Sequence, residues 1–151
     1  MSALAAVWHI RAFRPADLPL LMELARICFG SSAWGESHFA PRAGRVVWVA
    51  ENGDLAPVGY CVIECVADEA ELQAVAVAAG WRRLGVGAAL LATARATAHE
   101  RGAQRVYLEV RESNRGAQEF YRRFGFAVSG TRPGYYRDPA EAALLMSAPA
   151  V

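Results

Sequence analysis

The sequence predicts a mixed α/β (α+β) fold built as one domain, and three observations carry that prediction. The chain has 151 residues, the size of one ordinary domain over residues 1–151. Of its 54% hydrophobic residues 31 are alanines, leaving about a third of the chain as larger apolar residues, ample for a single packed core. The hydrophobic period switches between two and 3.6 in the order β-α-loop-β-β-β-α-β-α-β-β, which is neither all-helix nor all-strand.

Taken in order, Val7–Phe13 reads as a strand, with Pro15 just beyond it. Asp17 is suited to cap a helix through Phe29, because Leu18, Leu21, Ala25 and Cys28 fall on one face. Residues 30–44 carry Gly, Ser and Pro without periodicity and read as a loop, with a short helix after Ser37. Arg45–Glu51 and Val58–Val66 are β-rich runs joined by the hairpin signal Asn52-Gly53-Asp54, and Leu72–Val77 is another apolar strand. Gly85–Arg101 is a long helix rich in Ala and Leu, closed by Gly102; Asn114–Phe124 is a second, closed by Gly125. Arg105–Val110 lies between them as a strand. Phe126–Thr131 and Ala142–Ser147 close the chain as strands, separated by a loop that includes Pro133-Gly134-Tyr135-Tyr136.

Charge and composition exclude several classes. Sixteen arginines and no lysine stand against 15 acids, a net of +1, which argues against nucleic-acid binding by bulk charge. The balance is uneven along the chain: residues 1–75 sum to −4 and residues 76–151 to +5, so an anionic ligand is expected on the C-terminal half. The start has no basic region followed by an apolar stretch, and no run reaches membrane-span length. Cys28, Cys61 and Cys65 are odd in number and lack C-x-x-C spacing, as expected of reduced thiols in a cytosolic protein. His9, His38 and His99 form no metal-ligand pattern, so neither zinc nor another metal is expected.

The chemistry concentrates at Val75-Ala76-Val77 and the following Arg82-Arg83-Leu84-Gly85-Val86-Gly87-Ala88. A strand ends, a short loop follows and a helix opens on glycines. Amides at a helix N-terminus lack intrahelical partners and sit in the positive end of the helix dipole. Gly85 and Gly87 remove side chains that would keep a phosphate away, and two arginines add charge. No Gly-Lys-Ser/Thr follows, and the third glycine of a dinucleotide fingerprint is missing. What remains is a pyrophosphate cradle of another kind.

Arg82-x-x-Gly85-x-Gly87 resembles the Q/R-x-x-G-x-G/A motif with which GNAT N-acetyltransferases bind the pyrophosphate of acetyl-CoA. Leu108-Glu109-Val110-Arg111-Glu112-Ser113-Asn114 and Phe120-Tyr121-Arg122-Arg123-Phe124-Gly125-Phe126 are similar to the RimI branch, which acetylates the N-terminal alanine of a small-subunit ribosomal protein. The likeness covers most of the chain and is strongest from Leu72 to Met146. It implies a mostly antiparallel central sheet flanked by helices, with acetyl-CoA as co-substrate and a protein N-terminus as partner. It also implies that Val75, Ala76 and Val77 hold the pantetheine arm as an added strand, and that Arg82, Arg83, Leu84, Gly85, Val86, Gly87 and Ala88 hold the pyrophosphate. Asn114 would contact the cofactor, with Glu109 as general base and Tyr121 as general acid. Trp34, Phe39 and Tyr135 are candidates for shaping the acceptor site.

The chain departs from that branch at Ala74, where an Asn is usual, at Ala78-Ala79, where Asp-Pro is usual, and at Arg82, where the motif glutamine is usual. Three functions follow for test: Nα-acetylation of a protein, acetylation of a small amine such as a polyamine, amino sugar or amino acid, and non-catalytic acyl-CoA binding. Retention of both Glu109 and Tyr121 counts against the third.

Overall fold

The computed structural model describes residues 7–30 and 35–151. Seven strands form one sheet in the order β1-β2-β3-β4-β5-β7-β6. They are β1 (Trp8–Ala12), β2 (Arg45–Asn52), β3 (Pro57–Val66), β4 (Glu69–Val77), β5 (Arg105–Arg111), β6 (Ala127–Tyr136) and β7 (Glu141–Pro149). Every neighbouring pair is antiparallel except β4 and β5, whose connection runs through a helix and leaves them parallel. The helices are α1 (Leu18–Phe29), α2 (Val86–Glu100) and α3 (Arg115–Arg123).

Alternation along the strands divides the core in two. On one face Leu21, Leu24 and Ala25 of α1 pack against Val47, Val49, Tyr60, Val62, Ala74 and Ala76. On the other, Leu90, Leu91 and Ala94 of α2 pack against Cys61, Ile63, Leu72, Val106 and Leu108, with Phe120 and Tyr121 of α3 alongside. A bulge in β4 exchanges the faces: Leu72 pairs with Ile63 and Ala74 with Val62, so Gln73 is the extra residue. That is why Leu72 belongs to the α2 side and Ala74 to the α1 side.

The predicted elements are present, with one informative difference. Residues 133–136, expected as loop, continue β6, and Tyr136 pairs with Glu141. The strand tolerates Pro133 and Gly134 because its ladder is broken there: residues 133–135 stand opposite residue 142 alone. The helix expected after Ser37 is a single 3₁₀ turn over Glu36–His38.

Candidate active site

β4 and β5 separate. Their parallel pairing lasts three rungs, Glu69–Glu71 against Arg105–Tyr107, and then stops. The bulge at Gln73 turns β4 away, and Leu72–Val77 continues with its β5-facing edge outside any ladder. Val75, Ala76 and Val77 therefore line the mouth of a fork along an edge outside the β5 ladder, where the Val77 carbonyl accepts from Arg82 Nε, and an extended ligand can complete that edge.

The opening of α2 lies beside this mouth. Its first backbone bond runs from Ala89 N–H to the Gly85 carbonyl at 3.0 Å, leaving the amides of Val86, Gly87 and Ala88 outside the helical ladder. Gly85 caps the helix at φ +83° and Arg83 stands at φ +64°, two left-handed residues that wind the loop tightly. A Cβ on Gly87 would lie 3.5 Å from the Phe120 ring and 3.7 Å from Val77 Cγ2, so α2, α3 and the end of β4 converge on that backbone. Arg82 is exposed, and its side chain is tethered by two contacts. Its Nε donates to the Val77 carbonyl at 3.2 Å and its Nη2 lies 3.8 Å from Cys28 Sγ, tying the loop to β4. Arg83 is exposed and supplies charge there.

Local sequence fixes Tyr121. α3 starts at Asn114, whose Oδ1 accepts from Ala117 N–H at 3.1 Å, and ends at Gly125, φ +89°. The left-handed glycine returns the chain so that Phe126 N–H donates to the Tyr121 carbonyl at 3.1 Å. The Phe126 ring then packs 5.7 Å from the Tyr121 ring, with Phe120 5.3 Å away on the other side. Burial, and then the neighbouring Tyr136 and Cys61, push the Tyr121 phenol above its ordinary range, so it keeps its proton at neutral pH.

Glu109 belongs to the opposite face of β5. Val106, Leu108 and Val110 point into the α2-side core, whereas Tyr107 and Glu109 line a cleft of about 350 Å³ with Glu64, Glu69, Glu71, Ser129 and Arg132. Arg132 Nη1 lies 3.2 Å from Glu109 Oε1. Hydrogen bonding toward the same carboxylate, and then partial burial, push the Tyr135 phenol up to about 12. Burial, then the charges of Glu109 and Glu64, raise the Glu71 carboxyl, while Arg132 opposes them. Burial and then Glu109 also raise the Tyr136 phenol. Tyr136 is thus within electrostatic reach of both Glu109 and Tyr121.

Of the expected acceptor residues, Tyr135 is at the site and half exposed. Phe39 is not open to an acceptor: it is 2% exposed, with its ring edge-on to Tyr60 at 5.2 Å in the α1-side core, where an aromatic ring in an apolar setting belongs. Trp34 lies outside the described residues. Residues 71, 132 and 136 are additions that composition did not single out. Among the described residues no group of His, Cys, Asp and Glu is placed to hold a metal ion, and no helix is long and apolar enough to cross a membrane.

A fork between parallel β4 and β5, a glycine-opened helix at its mouth and a seven-stranded mixed sheet are matched in known proteins. Residues 8–126 match the family model described as acetyltransferase (GNAT) family. The chain belongs to the GNAT acetyltransferases. Within that family it is 31% identical over 145 residues to the ribosomal protein bS18-alanine N-acetyltransferase of Escherichia coli (strain K12), covering 93% of this chain and 96% of that one. The crystal structure of the ribosomal-protein-S18-alanine N-acetyltransferase from Escherichia coli superposes with a TM-score of 0.84 at 28% identity, over 95% of this chain and 94% of that one. The streptothricin acetyltransferase of Streptomyces lavendulae is 38% identical over 108 residues, 68% of this chain and 56% of the relative. As a GNAT protein the chain is an N-acetyltransferase, and the fork is the candidate place for acetyl transfer.

Proposed function

We propose that this enzyme moves an acetyl group from acetyl-CoA to the N-terminal α-amine of a protein, with alanine of a small-subunit ribosomal protein as the leading acceptor. The fork carries the reading, because it opens the sheet between Glu109 on one face and Tyr121 on the other. The residues present fit acetyl-CoA: the free edge of Val75–Val77 suits pantetheine, and the unladdered amides of Val86–Ala88, with Arg83, suit a pyrophosphate. Arg82, Leu84 and Gly85 shape that loop, and Asn114, whose Oδ1 caps α3, keeps its amide nitrogen for a cofactor contact. When bound, acetyl-CoA supplies the electrophilic thioester carbonyl.

Glu109 takes a proton from the attacking amine, directly or through water. The new N–C bond forms as the C–S bond breaks, and Tyr121 returns a proton to the sulfur. A carboxylate suits an α-amine, whose pKa of roughly 7.7–8.0 leaves part of it neutral, better than a lysine near 10.4. The identity to the bS18-alanine acetyltransferases supports a protein N-terminus, and the reading sets the reaction in the cytoplasm.

The relation to a streptothricin acetyltransferase supports a second reading, in which the acceptor is a small polyamine or amino compound. One experiment separates them. The protein is incubated with acetyl-CoA and peptides beginning Ala-Arg, beside spermine and free amino acids, and mass spectrometry locates the acetyl group. Acetylated peptide N-termini are expected; acetylated spermine with untouched peptides favours the second reading. Glu109→Gln and Tyr121→Phe should each lower kcat while acetyl-CoA affinity survives, and unchanged turnover in either removes that residue from the mechanism.

A further inference from the structure

Along an unbroken strand, residues three apart point to opposite faces of the sheet. Arg132 and Tyr135 are three apart in β6, yet both reach Glu109. The break in the ladder accounts for this: residues 133–135 oppose residue 142 alone, and Gly134 at φ +64° takes the left-handed turn that re-aims the strand. The Pro133-Gly134 irregularity thus serves one carboxylate.

Arg132 also has to cross a strand, because β7 lies between β6 and β5. The register puts Ala143 of β7 between Arg132 and Arg111, a residue too small to obstruct either guanidinium. Arg111 is committed elsewhere, 2.9 Å from Glu141 and 4.3 Å above the Tyr136 ring. The groups facing Glu109 are therefore Glu71 of β4 and Arg132, Tyr135 and Tyr136 of β6. Glu64, further along the cleft, is paired with Arg45 at 2.9 Å and Arg42 at 3.5 Å. Arg132 is the cation that pairs with Glu109 and whose charge also acts on Glu71, in a cleft that Glu69 lines at its exposed end.

We propose that Arg132 is a positioning residue for acetyl transfer, holding the Glu109 carboxylate aimed at the fork through an ion pair across β7. This rests on the reading of Glu109 as the base. Arg132 is 57% exposed, so its influence is moderate rather than large.

The test is steady-state kinetics with an Ala-Arg peptide as acceptor. Arg132→Ala should lower kcat about two- to fivefold with acetyl-CoA affinity unchanged, and Arg132→Lys should restore most of it. In a Glu109→Gln background Arg132→Ala should lower nothing further. A kcat that Arg132→Ala does not lower, or an equal loss in both backgrounds, overturns the role of Arg132. Turnover of Glu109→Gln at the unmodified rate overturns instead the base assignment on which it rests.

Discussion

Tyr135 lies close enough to Glu109 for the carboxylate to raise its phenol, so the half-exposed end of β6 comes onto the middle of β5. A hydrogen bond to a charged acceptor is worth about 1.5–3 kcal/mol, and water can replace part of it at an exposed position. Tyr135→Phe should therefore lower kcat/KM for the acceptor by about three- to tenfold, leaving the acetyl-CoA KM unchanged. Steady-state kinetics with each substrate varied in turn check this. An effect confined to acetyl-CoA would move Tyr135 out of the acceptor site.

The two motif glycines should behave differently. Gly85 is left-handed, and an alanine there costs about 1–2 kcal/mol, a Tm loss of roughly 2–8 °C, along with weaker acetyl-CoA binding. Gly87 is helical, and a Cβ would meet the Phe120 ring at an ordinary 3.5 Å. Gly87→Ala should keep the Tm or raise it, by up to about 1 kcal/mol from helix propensity. Calorimetry on the pair, with acetyl-CoA titrations, separates the phosphate cradle from simple packing.

Much of this architecture can be read from the chain. Gly102 and Gly125 mark helix ends, Asn52-Gly53-Asp54 marks a hairpin, and the glycines after Arg82 mark the opening of α2. What could not be read depends on long-range register. Pro133 and Gly134 look like punctuation, and local composition cannot tell a loop from a bulged strand that keeps its partner. Arg132, Tyr136 and Glu71 reach the site only because of that bulge and because β4 leaves β5 after three rungs. Arg82 is exposed beside the glycines, and the bond from its Nε to the Val77 carbonyl is a long-range tether that position in the chain does not show. Phe39 is spaced like a site aromatic, and only the fold sets its ring against Tyr60 in the core.

Far from the fork, Asp17 grips Arg11 with both oxygens at 2.8 Å and accepts Arg14 N–H at 2.8 Å. The Arg11 hydrogen bonds hold its carboxyl below the ordinary range despite burial. Because the folded value is depressed, the stabilisation is present above the unfolded value near 3.9 and is lost as pH falls through the folded one. Asp17→Asn should cost about 3 kcal/mol at pH 7, at the lower end for a buried pair since Glu51 still holds Arg11 at 2.6 Å. Urea unfolding from pH 7 to 2 should show the two proteins converging as acid is added. Parallel curves would mean the pair contributes nothing.

Tyr60 presents the reverse case. Its hydroxyl is fully buried and has no hydrogen-bond partner among the described residues. An unsatisfied buried hydroxyl costs about 1–3 kcal/mol, so Tyr60→Phe should be stabilising, by about 1 kcal/mol in urea melts. A loss of stability would reveal a partner, such as an internal water, at that oxygen.

The alternation of β5 makes neighbours into strangers. Leu108 and Val110 answer to the helices that flank the donor, while Tyr107 and Glu109, one peptide bond away, answer to the cleft on the far side. On the proposed mechanism Glu109 must stay, yet Tyr107 can change with the acceptor without touching Leu108 or Val110, whose burial holds the strand to the opposite core.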